Sequence, residues 1–193
     1  MEKGILDILY QVLASPSKAL REVSKRRPLG WAMLTAIFIS VVFALTLLPN
    51  PPELVEVIFD LEKGSLDLVP VVFIWVVIFL VALFIGGGIF HLIATLFRGR
   101  GSYLGLVCGL CFACFPFVFF APLTLLRALL GFSGNILYPI GSLLLFLWIL
   151  ALEITAIRQN YHFSTGRAIA TYFIPAILLI IVPLLVVTVI IAL

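Results

Sequence analysis

Long apolar runs, almost free of charged side chains, are the feature that most limits how this chain can fold. A helix that crosses a membrane needs about 20 apolar residues, because the hydrocarbon core is about 30 Å thick. The 193-residue chain has five such runs, at about 29–48, 68–97, 103–126, 136–157 and 168–193. They lack the alternation of polar and apolar residues that marks outer-membrane strands. The sequence therefore predicts an all-α, polytopic membrane helical bundle with five transmembrane helices.

The overall composition points to the same class. Hydrophobic residues make up 64% of the chain and charged residues 11%, whereas soluble domains are nearer to half apolar and a quarter charged. A soluble fold could not keep so much apolar surface away from water. Five spans also leave no room for a separate soluble domain of the usual ~100 residues.

Several residues that interrupt helices fall inside the runs. The second run would form a helix of roughly 45 Å, so it must tilt, bend or begin outside the hydrocarbon core. The candidate hinge or kink positions are Gly86, Gly87, Gly88, Pro116, Pro122, Pro175 and Pro183. Such residues are ordinary in membrane helices, but they could also form a discontinuous helix that lines a cavity.

The first 28 residues differ from the rest and divide the chain into segment 1–28 and membrane domain 29–193. Apolar residues recur at helical spacing between Ile5 and Leu13, and Ser15-Pro16-Ser17 then separates this short helix from a basic one. A segment that is apolar on one face and basic nearby is expected to lie on the cytoplasmic surface of the membrane.

Basic residues in the loops set the expected topology, because they are retained on the cytoplasmic side. Ten of the twelve Lys and Arg residues fall on the side of the N-terminus, and the other side holds Lys63 and Arg127. We therefore expect a multi-pass protein of the cell inner membrane, with the N-terminus cytoplasmic, the C-terminus external, and an acidic external loop at 53–67. The residues expected to contact anionic lipid headgroups or a partner are Lys18, Arg21, Lys25, Arg26, Arg27, Arg98, Arg100, Arg158 and Arg167. Because these charges flank spans, they do not indicate nucleic-acid binding.

Two ionisable side chains fall inside the runs at similar distances from the same side. Glu153 lies five residues before Arg158, and His91 lies seven residues before Arg98. An ionised carboxylate at the membrane centre costs at least about 2.5 kcal/mol, and such residues usually have a partner. The matched depth favours a His91–Glu153 pair, which would either carry protons or fix helix packing.

The third run carries two further patterns. Cys108, Cys111 and Cys114 form C-x-x-C-x-x-C, which we interpret as small apolar packing residues, with a metal or lipid-modified site as the alternative. The residues spaced by four are Gly101, Gly105, Gly109 and Ala113. This small-xxx-small row allows another helix to approach closely, either within the chain or from a second copy in a homodimer.

Motifs for catalysis are missing from the sequence. It has no Ser–His–Asp set, no HExxH and no phosphate-binding loop. Its two histidines, His91 and His162, are too far apart in expected depth to share a metal. We predict a non-enzymatic protein without catalytic residues, metal or cofactor.

Several local motifs, in this order along the chain, resemble those of one family. The segment 13–20 is similar to the "P..af" element that precedes the first span in bacterial members. The other matching motifs are Gly86–Gly88 with the turn 96–103, Phe115-Pro116-Phe117, Trp148 and the "h.ls..ra" loop 161–168. Together with five spans behind an amphipathic segment, these motifs resemble the Yip1 family over nearly the whole chain.

The resemblance implies a fold and membrane residence rather than an activity. The long cytoplasmic tail and "PFW" step of the eukaryotic trafficking members are not seen, so the resemblance favours a prokaryotic relative over a partner of a Rab GTPase. The expected role is to organise or shape the membrane or to bind a membrane-protein partner. The alternative is a small transporter or channel, or an accessory subunit of a membrane complex, that uses a polar path through His91 and Glu153.

Overall fold

The structure, a computed structural model, describes residues 4–47 and 68–192, and it begins with two short helices. Helix α1 spans Ile5–Ala14 and helix α2 spans Pro16–Arg26. Pro16 occupies the first turn of α2, where its missing N–H costs no helical hydrogen bond. Arg27 ends α2 in the left-handed conformation and donates its backbone N–H to the carbonyl of Val23.

Six further α-helices and one 3-10 helix follow. They are α3 Leu29–Leu47, α4 Leu68–Leu96, α5 Tyr103–Ala113, the 3-10 helix Phe115–Phe119, α6 Phe120–Leu130, α7 Phe132–Tyr161 and α8 Thr165–Ala192. All regular secondary structure in the described ranges is helical. The predicted all-α bundle is therefore confirmed.

Four helical segments in the described part of the chain are long and apolar enough to cross a membrane. They are Leu29–Thr46, Val69–Leu96, Tyr103–Leu130 and Phe132–Tyr161, and they correspond to the first four predicted spans. The fifth predicted span falls on α8, Thr165–Ala192, of which the stretch Thr165–Ile181 is an apolar helix. A fifth crossing stays a prediction.

The third and fourth helical regions extend beyond their predicted limits. The third, predicted to end near residue 126, continues to Leu130 and turns directly into α7 at Gly131. Gly131 has a φ of 55°, a conformation that glycine adopts without steric cost. Helix α7 begins at Phe132 and ends at Tyr161, whereas the sequence predicted 136–157.

The candidate kink residues occupy different local structures. Helix α4 continues unbroken through Gly86–Gly88. Pro116 lies in the 3-10 helix, and Pro122 lies in the first turn of α6, where proline is tolerated. Pro175 and Pro183 lie inside α8, and α7 contains a further internal proline, Pro139, that the sequence reading did not single out.

Some expectations concern parts of the chain outside the described residues. These are Lys3, the proline cluster at 49–52 expected to end the first span, the acidic loop 53–67 with Lys63, and Leu193 at the end of the fifth predicted span.

Helix α5 forms the centre of the bundle. Every residue from Gly105 to Ala113 is buried, and α2, α3, α4 and α7 pack around it. The outer faces of the long helices carry large exposed apolar side chains, such as Leu92 on α4 and Leu143 on α7. This arrangement, with a closely packed centre and an apolar exterior, suits a bundle whose solvent is lipid.

Helix α2 is packed into this bundle. Its apolar residues Ala19, Leu20 and Val23 are buried in the same core as α5 and α7. The sequence predicted that the first 28 residues lie on the membrane surface, yet the apolar face of α2 is covered by protein. Gly105 of α5 explains the close approach, because a Cβ atom there would lie 2.8 Å from the backbone oxygen of Ser24.

Candidate functional site

Glu153 lies in a polar cluster formed by three helices. Its Oε2 accepts a 2.7 Å hydrogen bond from the hydroxyl of Tyr172 on α8. Its Oε1 accepts a 3.5 Å hydrogen bond from the thiol of Cys114, which follows α5. Since no water is present in the hydrocarbon to satisfy a carboxyl group, these protein donors reduce the cost of placing Glu153 inside a span.

A cavity of about 190 Å³ opens beside this cluster. Glu153 and Cys114 contribute its polar edge, and Phe79, Phe90 and Phe117 contribute aromatic walls. Its remaining lining residues are Ala82, Leu83, Gly86, Gly87 and Leu110. A carboxyl group inside a membrane helix therefore faces a mostly apolar and aromatic space that is open on one side.

Two of the three consecutive glycines on α4 line this cavity, and the structure distinguishes their roles. A Cβ atom at Gly86 would meet nothing within 4 Å, whereas one at Gly87 would lie 3.1 Å from Cγ2 of Val107. Gly87 therefore allows α4 and α5 to pack closely, and Gly86 leaves open space. Gly88 does not line the cavity, and a Cβ atom there would also meet nothing within 4 Å.

The three cysteines are buried and not paired in disulfides. Cys108 and Cys111 are fully buried in the core around α5, as expected for packing residues. Cys114 differs because its thiol contacts Glu153. Among the described residues no group of three His, Cys, Asp or Glu side chains could hold a metal ion.

The structure gives His91 and Glu153 different partners, so the direct pair expected from their depth is not formed. A 2.5 Å hydrogen bond joins Nδ1 of His91 to the hydroxyl of Tyr161, and the ring of Tyr103 meets His91 edge-on. Tyr161 lies eight residues beyond Glu153 on α7, which is about 12 Å of helix. The comparison of distances from Arg98 and Arg158 did not identify this partner, because α7 extends past Arg158 and Tyr161 then lies opposite His91.

The small-residue row of α5 and its preceding turn faces other helices of the same chain. A Cβ atom at Gly101 would lie 2.5 Å from Asn160 Nδ2, and one at Gly109 would lie 3.2 Å from the Cβ atom of Ala156. Ala113 is fully buried. Gly105 lies against Ser24 of α2. The row therefore packs against both α7 and α2.

Three segments distant in sequence meet at one end of the bundle. Asn160 donates a 3.0 Å hydrogen bond to the carbonyl of Ser102, which joins the end of α7 to the α4–α5 turn. Arg158 donates hydrogen bonds to Ser17 at the start of α2 and to Thr165 at the start of α8. These contacts fix α2 relative to both turns.

The basic residues expected to contact headgroups lie at this end. Arg158 is half-buried and hydrogen-bonded, and the other eight are exposed: Lys18, Arg21, Lys25, Arg26, Arg27, Arg98, Arg100 and Arg167. Lys18, Arg21 and Lys25 follow each other at spacings of three and four on α2, which places them on one face. Arg26 forms a 2.8 Å ion pair with Glu22.

Arg127 lies in the last turn of α6, next to the α6–α7 turn. Its Nε donates a 2.8 Å hydrogen bond to Asn135, and its guanidinium lies 5.0 Å from the centre of the Tyr138 ring. Its polar contacts therefore tie α6 to α7.

Tyr172 is a site residue that sequence reasoning missed, although the sequence held a usable signal. Glu153 lies eight residues before the end of α7, and Tyr172 lies seven residues after the start of α8. In a helical hairpin such positions face each other at the same depth. The contribution of Cys114 had no comparable signal, because α5 and α7 are not neighbours in sequence.

The comparisons with known proteins return one family. A family model described as the Yip1 domain matches residues 10–187 of the chain. No curated protein and no solved structure matches it.

Proposed function

The chain belongs to the Yip1 domain family, and we propose that it is a non-enzymatic protein of the inner membrane that organises the bilayer by binding anionic lipid headgroups. The binding surface is the outer face of α2, which carries Lys18, Arg21 and Lys25 beside Glu22, the ion-pair partner of Arg26. We call Lys18, Arg21 and Lys25 the basic face. The N-terminus and this face lie on the cytoplasmic side in this proposal.

The observation that carries the proposal is the fixed position of α2. Leu20 is fully buried and Val23 is 3% exposed, so the apolar side of α2 is anchored in the bundle. Lys18, Arg21 and Lys25 point away from it and are exposed. A basic residue near an anionic surface contributes about 1 kcal/mol, and three on one rigid face act together without the entropic cost of ordering a loop.

Helix α1, which packs on α2, adds exposed apolar side chains to the same segment. Its side chains Leu6 and Tyr10 are 77% and 72% exposed and lie one helical turn apart. Val12 on the same helix is buried in the core, so α1 is held in place. Exposed apolar side chains on α1 together with basic side chains on α2 are the composition of interfacial segments that bind acyl chains and headgroups.

Trp31 provides a built-in probe for the test. It is 45% exposed at the start of α3 and lines a cleft together with Val23 and Arg26 of α2. With Trp75→Phe and Trp148→Phe, Trp31 is the single tryptophan. The protein is reconstituted into bilayers that contain brominated phosphatidylglycerol or brominated phosphatidylcholine, and quenching of Trp31 fluorescence then reports which lipid is enriched beside α2.

We expect stronger quenching by the anionic lipid, and the preference falls severalfold in the variant Lys18→Gln/Arg21→Gln/Lys25→Gln. The matched control is Arg98→Gln/Arg100→Gln/Arg167→Gln, which removes the same charge from the same end of the bundle. We expect the control to retain most of the preference. Equal quenching by both lipids, or an equal loss in the two variants, would contradict the proposal.

A further inference from the structure

We propose that the cavity beside Glu153 binds a small organic ammonium cation that carries an apolar or aromatic body. This site lies between α4, α5 and α7 and is separate from the basic face of α2. The proposal therefore goes beyond headgroup binding and can fail or succeed independently of it.

The volume of the cavity limits the part of the ligand that the helices can hold. An apolar cavity of about 150 Å³ holds a benzene molecule, and the cavity beside Glu153 has about 190 Å³. It therefore fits one ring, or a short branched alkyl group, together with a small head group. Drug-sized ligands need cavities of about 300 Å³ or more.

The carboxyl group determines the charge of the ligand. Each oxygen of Glu153 accepts one hydrogen bond, from Tyr172 or from Cys114, while a carboxylate offers about four lone-pair positions. Within the described residues, Glu153 forms no ion pair with Lys, Arg or His. A carboxyl group with unused acceptor positions and no cation of its own is complementary to an ammonium ligand.

The aromatic walls favour the same class. Phe79, Phe90 and Phe117 line the cavity with Glu153, and Tyr172 stacks on Phe90 at 5.2 Å between ring centres. Aromatic faces attract ammonium groups, most strongly where water is excluded. A plain acyl chain would fill the apolar space but would leave the carboxyl group without a charged partner.

Gly86 is a position at which a larger side chain would fill the cavity without changing the packing of the helices. It lines the cavity, and a Cβ atom there meets nothing within 4 Å. The substitution Gly86→Leu therefore places a side chain in the open space without forcing the helices apart. Gly88→Leu is the matched control, because its Cβ position is equally free and Gly88 does not line the cavity.

The test measures binding of benzylammonium, whose N–H groups can donate to the free acceptor positions of Glu153, to the full chain in lipid nanodiscs by equilibrium dialysis. Protein-free nanodiscs are the blank. We expect saturable binding of one cation per chain to the unchanged protein and to Gly88→Leu. Gly86→Leu and Glu153→Gln are expected to weaken binding about tenfold or more, since they remove the space and the charge respectively. Thermal unfolding of each variant shows whether it is folded.

Three results would overturn the proposal: no saturable binding up to millimolar cation, equal binding by Gly86→Leu and Gly88→Leu, or unchanged binding by Glu153→Gln. If Glu153→Gln fails to fold, the comparison of the two glycine variants decides alone, because it leaves the polar cluster intact.

Discussion

The hydroxyl of Tyr172 donates a 2.7 Å hydrogen bond to Glu153 across the hairpin of α7 and α8. The two residues meet because each lies about two helical turns from the connection between the helices. The ring of Tyr172 also stacks on Phe90 of α4. Tyr172 thus donates a hydrogen bond to Glu153 and also stacks on Phe90, one of the aromatic walls of the cavity.

We expect Tyr172→Phe to destabilise the protein by about 1–3 kcal/mol, because it leaves a carboxyl oxygen without its donor inside the bundle. The aromatic stacking on Phe90 remains, so the hydroxyl is tested alone. Chemical unfolding in detergent micelles measures the change. The control is Tyr10→Phe, which removes the same hydroxyl from a residue that is 72% exposed and should cost less than about 0.5 kcal/mol. Equal costs would show that the hydrogen bond contributes nothing specific.

Because His91 and Glu153 have different hydrogen-bond partners, we expect them to contribute independently to the free energy of unfolding. In double-mutant cycles, His91→Phe and Tyr161→Phe should couple by about 0.5–3 kcal/mol, since the two side chains share a hydrogen bond. His91→Phe and Glu153→Gln should be additive within about 0.5 kcal/mol. Strong coupling in the second cycle would support a polar path through both residues.

The sequence could predict the spans well because the rule that governs them is local. A backbone in lipid must satisfy its hydrogen bonds within its own segment, so an apolar run is helical whatever surrounds it. Predicted runs 29–48 and 68–97 accordingly match α3, Leu29–Leu47, and α4, Leu68–Leu96. The ends of α7 were less predictable, because its extra turns contain polar residues such as Asn135 and Asn160. Its C-terminal end is also packed closely against the turn at Gly99.

The candidate site was harder to predict because its contacts join helices distant in sequence. Glu153 could be singled out as a carboxyl group in an apolar run, but its partners depend on how α5 and α8 are rotated against α7. The position of α2 was ambiguous for a similar reason. An amphipathic helix can bury its apolar face in lipid or in protein, and its sequence is the same in both cases.

The close approach of α5 predicts a sharp difference between two glycines. A Cβ atom at Gly105 would lie 2.6 Å from Asn160 Oδ1 and 2.8 Å from the Ser24 backbone oxygen, whereas one at Gly30 would meet nothing within 4 Å. We expect Gly105→Ala to destabilise the protein by about 1–3 kcal/mol through overpacking. Gly30→Ala should be neutral or slightly stabilising, because alanine favours the helix. The two melting temperatures, measured in the same detergent, should therefore shift in different directions or by clearly different amounts.

The burial of α2 gives the last prediction. Leu20 is fully buried among residues of α5 and α7, so Leu20→Ala should cost about 2–5 kcal/mol through lost contacts and the cavity it leaves. Leu6→Ala on α1 is the matched control, because Leu6 is 77% exposed and should change the free energy of unfolding by less than about 0.5 kcal/mol. Unfolding of both variants in detergent micelles measures the difference.

A second measurement separates loss of α2 docking from general instability. Limited proteolysis by trypsin after Lys25 and Arg26 should accelerate in Leu20→Ala under conditions where the spans remain folded, since α2 would leave the bundle before the membrane helices separate. Ser17→Ala removes the partly buried 3.2 Å hydrogen bond from Arg158. It should act in the same direction but more weakly, because one such bond contributes less than the burial of Leu20. If Leu20→Ala behaves like Leu6→Ala in both measurements, α2 is not anchored by its apolar face, and the rigid support proposed for the basic residues is lost with it.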